Sequence, residues 1–83
     1  MTRDEIRSVL LEEIGNIAPE ADLSRLDPYA DLREELDIDS IGFLNLITAL
    51  HNRLGIAVPE GDYPKLATLS GAEAYFSERS KAT

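Results

Sequence analysis

The chain has 83 residues, 16 acids against 8 bases for a formal net charge of -8, and no cysteine. That length allows one domain spanning 1–83; the missing thiols exclude a disulfide framework or a thiolate metal site, and the acidity argues against nucleic acid, whose phosphates require clustered Lys and Arg. Hydrophobic content of 43% and charged content of 29% fit a globular domain rather than a disordered one, though a chain this short buries only about 60% of its unfolded surface.

The opening stretch, MTRDEIRSVLLEEIG, carries acids inside its apolar run and does not read as a signal peptide. No segment approaches the roughly 18 unbroken apolar residues of a membrane span. A cytoplasmic, acidic monomer with affinity for basic protein surfaces is the expectation. Thr2-Arg3-Asp4-Glu5 forms a capping-box pattern, in which the threonine accepts from the glutamate amide and the glutamate reaches back. Ile6, Val9, Leu10, Ile14 and Ile17 then recur at helical spacing. Pro19 should stop this helix by Ala18.

The next 21 residues, PEADLSRLDPYADLREELDID, have no strong period. Compact domains rarely hold so long a structureless loop. Leu23, Leu26, Leu32, Leu36 and Ile38 supply anchors, Asp27-Pro28 marks a turn, and DLREEL suits one helical turn. An ordered, pinned loop is predicted.

A second helix should run from about Ser40 to Leu54, with Ile41, Leu44, Ile47, Leu50 and Leu54 as its stripe and Phe43 and Leu46 widening it. Gly55 suits the left-handed position that closes a helix. IAVP follows as an extended piece, and EGDYPKL as a turn or single helical turn. Thr68 then caps a last helix, about Leu69 to Glu78, whose inward face is Leu69, Ala72, Tyr75 and Phe76. The tail SKAT should be frayed. No β-pattern competes, so the class is all-α: three main helices, one short element and a long loop between the first two helices.

Few residues offer chemistry. The only histidine, His51, falls three helical turns after Ser40, about 16 Å away at 1.5 Å per residue, and no third residue completes a triad. Its bland reading is a solvent-facing side chain near a helix C-terminus, where positive charge is favoured. Asp37 and Asp39 lack the spacing of a calcium loop, no glycine-rich phosphate loop is present, and no metal site is expected. Ser40 remains. Asp39 and Ser40 are both good caps for the second helix, so one of them is spare. A phosphate esterified on a serine there would sit beside unpaired amides and the positive end of the helix dipole, worth about 0.3–1 kcal/mol. Spacing alone leaves a modified serine and a simple cap both open.

The stretch DLREELDIDSIGFLNLITALHNRLGIAVPEGDYPKLATLSGAEAYF resembles the acyl carrier proteins. Their signature is an Asp-Ser-Leu (or Ile) tripeptide after an acidic loop, at the start of the second helix of a four-helix bundle. Here it is Asp39-Ser40-Ile41. The likeness extends to Leu32 and Leu36 before it, to the LGIAVP exit, and to the approach Lys65-Leu66-Ala67-Thr68-Leu69. Peptidyl relatives usually carry Gly-Gly where Asp37-Ile38 stands, which favours an acyl carrier. The resemblance implies 4′-phosphopantetheine, delivered from coenzyme A to Ser40 by a phosphopantetheinyl transferase, with Asp39 beside it. The arm would hold acyl groups as thioesters for partner ligases, synthases or transferases of fatty-acid, lipid or secondary-metabolite biosynthesis. The chain itself would not be an enzyme. By family position the acyl pocket would include Leu32, Leu44, Leu50, Val58, Tyr63, Leu66 and Ala72, whose plainer reading is core. A rival of another class is a carrier-like interaction subunit with Ser40 unmodified.

Two departures bear on the partners. Carriers of fatty-acid synthesis usually bear several acids on the second helix; this chain has none between Ser40 and Pro59, and its only formal charge there is Arg53. Gly42 and Asn45 stand where acids are usual. Acids lie instead at Asp31, Glu34, Glu35, Asp37 and Asp39 before the helix, and at Glu60 and Asp62 after it. Partner recognition is therefore assigned to Glu35, Asp37, Asp39, Glu60 and Asp62, with Ile41, an exposed Phe43 and Leu44 as apolar contacts. Surface charges steer more than they bind, so a specialised carrier with its own partners is expected. Tyr63, where a small residue is usual, would shorten the pocket or cover it, or simply pack beside Pro64.

Overall fold

The computed structural model describes residues 2–81. In chain order it contains α1 (Arg3–Ile17), the single-turn α2 (Leu32–Glu35), α3 (Ser40–Leu54) and α4 (Leu69–Lys81), with 3-10 segments at Leu23–Arg25 and Glu60–Leu66. No strand occurs among the described residues. The all-α bundle with three main helices is as the sequence predicts.

The capping box at the start of α1 forms in both directions. The Glu5 amide donates to the Thr2 hydroxyl (3.2 Å) and the Thr2 amide donates to the Glu5 carboxylate (2.9 Å). The bond from the Thr2 amide, and then the Thr2 hydroxyl beside it, favour the ionised carboxylate and hold its pKa below the usual glutamate range. Ile6, Leu10 and Ile14 are buried, with Val9 and Ile17 packed at the edge; each full burial is worth about 1.5–3 kcal/mol. Helix α1 lies against both α3 and α4. Ion pairs flank the two seams: Glu73 of α4 meets Arg3 (2.8 Å) and Arg7 (3.4 Å), and Arg53 of α3 meets Glu13 (2.8 Å) and Glu12 (3.3 Å). Glu13 and Glu73 are buried acids, tolerable because each has a guanidinium partner.

The long loop is indeed pinned. The Leu32 amide donates to the Ala67 carbonyl (2.7 Å), and the Ser70 amide donates to the Pro28 carbonyl (2.9 Å). Leu32 and Leu36 are buried, and Leu23, Leu26 and Ile38 are partly buried against the core. The Asp27 carboxylate accepts from the Tyr29 amide (2.9 Å), closing the turn at Pro28. Helix α2 ends on Asp37, the one non-glycine among the described residues with a left-handed backbone (φ 53°). The following Ile38 amide returns to the Arg33 carbonyl (3.0 Å). This is the closure usually given to glycine; aspartate is one of the few side chains that tolerate it.

Helix α3 has the predicted bounds but a different inner face. Phe43, Leu46, Ile47 and Leu50 are buried, whereas Ile41 is 68% and Leu44 43% exposed. At about 100° per residue the buried four fill one arc, and Ile41 lies nearly opposite it. The expected exposure of Phe43 is therefore wrong: it is 7% exposed, and the Arg33 guanidinium lies 5.4 Å above its ring. The sequence places apolar residues on both faces, and periodicity alone could not choose between them.

The expected turn or single helical turn at EGDYPKL is a seven-residue 3-10 segment, Glu60–Leu66. Thr68 accepts from the Gly71 amide (3.0 Å), as predicted for a cap. Helix α4 continues to Lys81 rather than ending at Glu78, so Ser80 and Lys81 of the supposedly frayed tail are helical; Ala82 and Thr83 lie outside the described residues. Leu69, Ala72, Tyr75 and Phe76 are buried as expected. A Cβ on Gly71 would stand 2.5 Å from the Lys65 carbonyl oxygen and 3.0 Å from the Thr68 hydroxyl, whereas one on Gly61 would meet nothing within 4 Å. The overlap at Gly71 involves backbone and cannot be relieved by a rotamer change. Gly71→Ala should lower unfolding free energy by about 1–3 kcal/mol, and Gly61→Ala should leave it within about 0.5 kcal/mol of the parent, both measured by urea denaturation.

Candidate functional site

The site is built around the start of α3. The Asp39 carboxylate accepts from the Gly42 amide (2.8 Å), so Asp39 is the cap. Ser40 is the first helical residue, exposed, and no described residue hydrogen-bonds its hydroxyl. The spare cap is thus the serine. Gly42 lets Ile38 fold closely over this turn, because a Cβ there would meet the Ile38 Cβ at 3.2 Å.

Ser40 opens onto a groove of about 380 Å³. Phe43 and Leu44 of α3 form one side, and Glu60, Tyr63 and Pro64 come from the 3-10 segment. Arg33 of α2 contributes a cation. Its Nε and Nη2 reach the Asp31 carboxylate at 3.3 and 3.1 Å. That hydrogen bonding first, and charge attraction second, raises the Arg33 pKa above its ordinary value; the same bonds lower that of Asp31.

The residues assigned to an acyl pocket divide in two. Leu44 and Tyr63 line the groove. Leu32, Leu50, Leu66 and Ala72 are buried in the core, and Val58 packs partly against it. The residues assigned to partner recognition also separate. Ile41 and Leu44 are exposed beside Ser40, with no charged side chain of α3 near them, while Phe43 is turned inward. Glu60 is on the groove. Glu35 and Asp37 line a second groove of about 510 Å³, beside the end of α1 at Ile17–Ala21. Sequence reasoning missed Arg33 and Ala67 at the groove; an isolated arginine in an acidic loop carries no periodic signal, and Ala67 arrives only through its bond to Leu32.

Asp62 is an anchor rather than a free surface acid. It accepts from the Tyr75 hydroxyl (2.8 Å) and from Arg79 (3.1 Å), and Lys65 lies 3.3 Å away. The Tyr75 hydrogen bond first, then Lys65, lowers the Asp62 pKa below the usual aspartate range. Burial, and then Asp62, raises that of Tyr75, which keeps the phenol protonated as the donor. A larger hollow of about 680 Å³ beside these groups contains no residue assigned from the sequence, and its cations, Lys65 and Arg79, are committed to Asp62.

His51 is exposed near the other end of the helix that begins with Ser40, so the two cannot act together. Among the described residues no group of three or more His, Cys, Asp or Glu is placed to hold a metal ion, and no helix is long and apolar enough to cross a membrane.

Residues 4–76 match the family model described as "Phosphopantetheine attachment site". An acyl carrier protein of Rubrobacter xylanophilus is 32% identical over 99% of this chain and 100% of its own length. One from Brachyspira hyodysenteriae is 31% identical over 94% and 95%, and one from Streptomyces coelicolor is 28% identical over 90% and 77%.

Asp62 gives a pH signature. Its folded pKa is lowered, so its contribution to stability is complete above the ordinary aspartate value, about pH 4, and is lost as pH falls through the folded value. Asp62→Asn should therefore lower the urea midpoint at pH 7, and the gap from the parent should close progressively below about pH 4.

Proposed function

The chain belongs to the acyl carrier proteins, and we propose that Ser40 is the residue to which its 4′-phosphopantetheine is attached. The observation that carries this is the division of labour at the start of α3: Asp39 satisfies the Gly42 amide, leaving the exposed Ser40 hydroxyl unspent. The neighbouring residues fit the group. The first-turn amides and the helix dipole favour a phosphate at this position, and the groove offers an arginine donor, a carboxylate acceptor and apolar walls. Priming joins the serine oxygen to the phosphorus next to pantetheine in coenzyme A. It breaks the pyrophosphate bond, releases adenosine 3′,5′-bisphosphate and gives up the serine proton. The group supplies the thiol that a cysteine-free chain lacks, and with it the means of holding an acyl thioester.

The chain's own role is then presentation. Asp39 fixes the start of α3 and hence the direction in which Ser40 points. Ile41 and Leu44 present an uncharged apolar face beside it, flanked by acids before and after the helix. A phosphopantetheinyl transferase and later an acyl ligase, synthase or transferase would seat on this face, placing apolar groups at its centre and cations around it. Fatty-acid, lipid or secondary-metabolite biosynthesis all use such carriers. The uncharged α3 favours a dedicated partner set over that of housekeeping fatty-acid synthesis.

Incubation with coenzyme A and a broad-specificity phosphopantetheinyl transferase should add one phosphopantetheine to the intact mass, and Ser40→Ala should abolish the gain. No gain, or a gain that survives the substitution, would overturn the assignment. Partner choice has its own test. The native protein should be a poor substrate for a generic fatty-acid synthase enzyme, and Asn45→Glu, on the exposed side of α3, should improve its loading. Efficient loading of the native protein would refute a dedicated partner set.

A further inference from the structure

We propose that Asp62 straps the 3-10 segment to α4, and that this strap holds the segment away from α3. The segment Glu60–Leu66 stands between two spaces that share no lining residue. On one side is the groove with Ser40, which takes Glu60, Tyr63 and Pro64; on the other is the hollow of about 680 Å³, which takes Lys65 together with Tyr75 and Arg79 of α4. Of the three long helices only α4 packs closely on the segment. Among the described residues no hydrogen bond or ion pair joins it to α3. Asp62, by contrast, accepts from the Tyr75 hydroxyl at 2.8 Å and from Arg79 at 3.1 Å. Arg79 in turn lies over the Tyr75 ring, 4.6 Å from its centre.

The rest of the segment is held at one end only. Buried Leu66 and the Leu32–Ala67 bond fix its C-terminal end. Its N-terminal end has no side-chain cap, and Gly61 has open space where a side chain would stand. Seven residues is long for 3-10 geometry, whose hydrogen bonds are poorer than those of an α-helix. Leu44 on α3 is 43% exposed and Tyr63 on the segment is half-buried, so settling the segment onto α3 would remove apolar surface from water. An outward swing would do the reverse, uncovering Leu66. Inward movement is opposed by Asp62, which would have to give up a phenol and a guanidinium without replacing them. The width of the approach to Ser40 is thus governed from the opposite side of the segment. Only the consequence for priming rests on the carrier reading; the strap does not.

The test uses the full, unprimed chain carrying two nitroxide labels, which the absence of native cysteine permits. One is attached at Thr48→Cys, exposed and one turn beyond Leu44 on the same face of α3, and the other at Gly61→Cys. Electron paramagnetic resonance reads their separation. Asp62→Ala should shorten it, and Tyr75→Phe, which keeps the ring and removes one bond, should shorten it less; if the alanine variant does not fold, Tyr75→Phe decides. Thr2→Ala, which destabilises α1 at its cap without touching the segment, should leave the separation at the native value. In the unlabelled proteins, Tyr75→Phe should also slow priming of Ser40 while leaving the surface charge unchanged. A separation that stays native or lengthens when Asp62 or Tyr75 is replaced, or that shortens equally in Thr2→Ala, would overturn the proposal. Failure of every protein to be primed would remove the carrier reading, and the label separations would still decide the strap.

Discussion

A single backbone hydrogen bond, from the Leu32 amide to the Ala67 carbonyl at 2.7 Å, decides whether this chain has a site at all. Helices α1, α3 and α4 would form a bundle from their apolar faces alone. The groove beside Ser40 needs two further walls, α2 and the 3-10 segment, and neither belongs to a long helix. The Leu32–Ala67 bond clamps one to the approach of the other, and Leu32 and Leu66 bury their side chains on either side of it. Arg33 follows directly from Leu32, and Tyr63 and Pro64 shortly precede Ala67. The walls are therefore set by a clamp that also closes the core, so stability and site geometry are linked at one point.

Electrostatics divides the molecule in a second way. The seven basic side chains described, from Arg3 to Arg79, each face a carboxylate in an ion pair. Most such pairs are partly exposed and contribute little individually. Their collective effect is to leave few cations free to oppose the excess of acids. Arg53 illustrates the point: it is the only formal charge between Ser40 and Pro59, and it is engaged with Glu12 and Glu13 of α1. Helix α3 therefore presents almost no free charge outward, and the field around Ser40 comes from acids on the flanking segments.

Much of this was legible from residue order. The capping box at Thr2, the stop before Pro19, the bounds of α3 and the cap at Thr68 are local signals that depend on neighbours three or four residues apart. The choice between Asp39 and Ser40 as cap was framed by the sequence but needed the Gly42 amide to decide it. What failed depends on distant contacts. Phe43 reads both as part of the helix stripe and as an exposed contact because apolar residues surround most of α3, and only the elements packed against it select which face is covered. Asp62 reads as a surface acid, since nothing local reveals that Tyr75 and Arg79 converge on it from α4. Arg33 carries no local signal for the same reason: Phe43, under its guanidinium, and Ser40, on the same groove, belong to another helix.

Asp37 has a consequence for transplanting such a site. Its left-handed backbone reverses the chain between α2 and α3, and the Ile38–Arg33 bond closes that reversal. Arg33, Asp37, Asp39 and Ser40 are consequently one rigid cassette rather than four separable positions. Moving Asp39-Ser40-Ile41 into another helical scaffold would carry the cap and the exposed serine but not the direction from which the arginine approaches. The smallest piece that keeps the relation runs from Asp31 through Gly42, and its acceptor on the new scaffold must offer a carbonyl where Ala67 stands here.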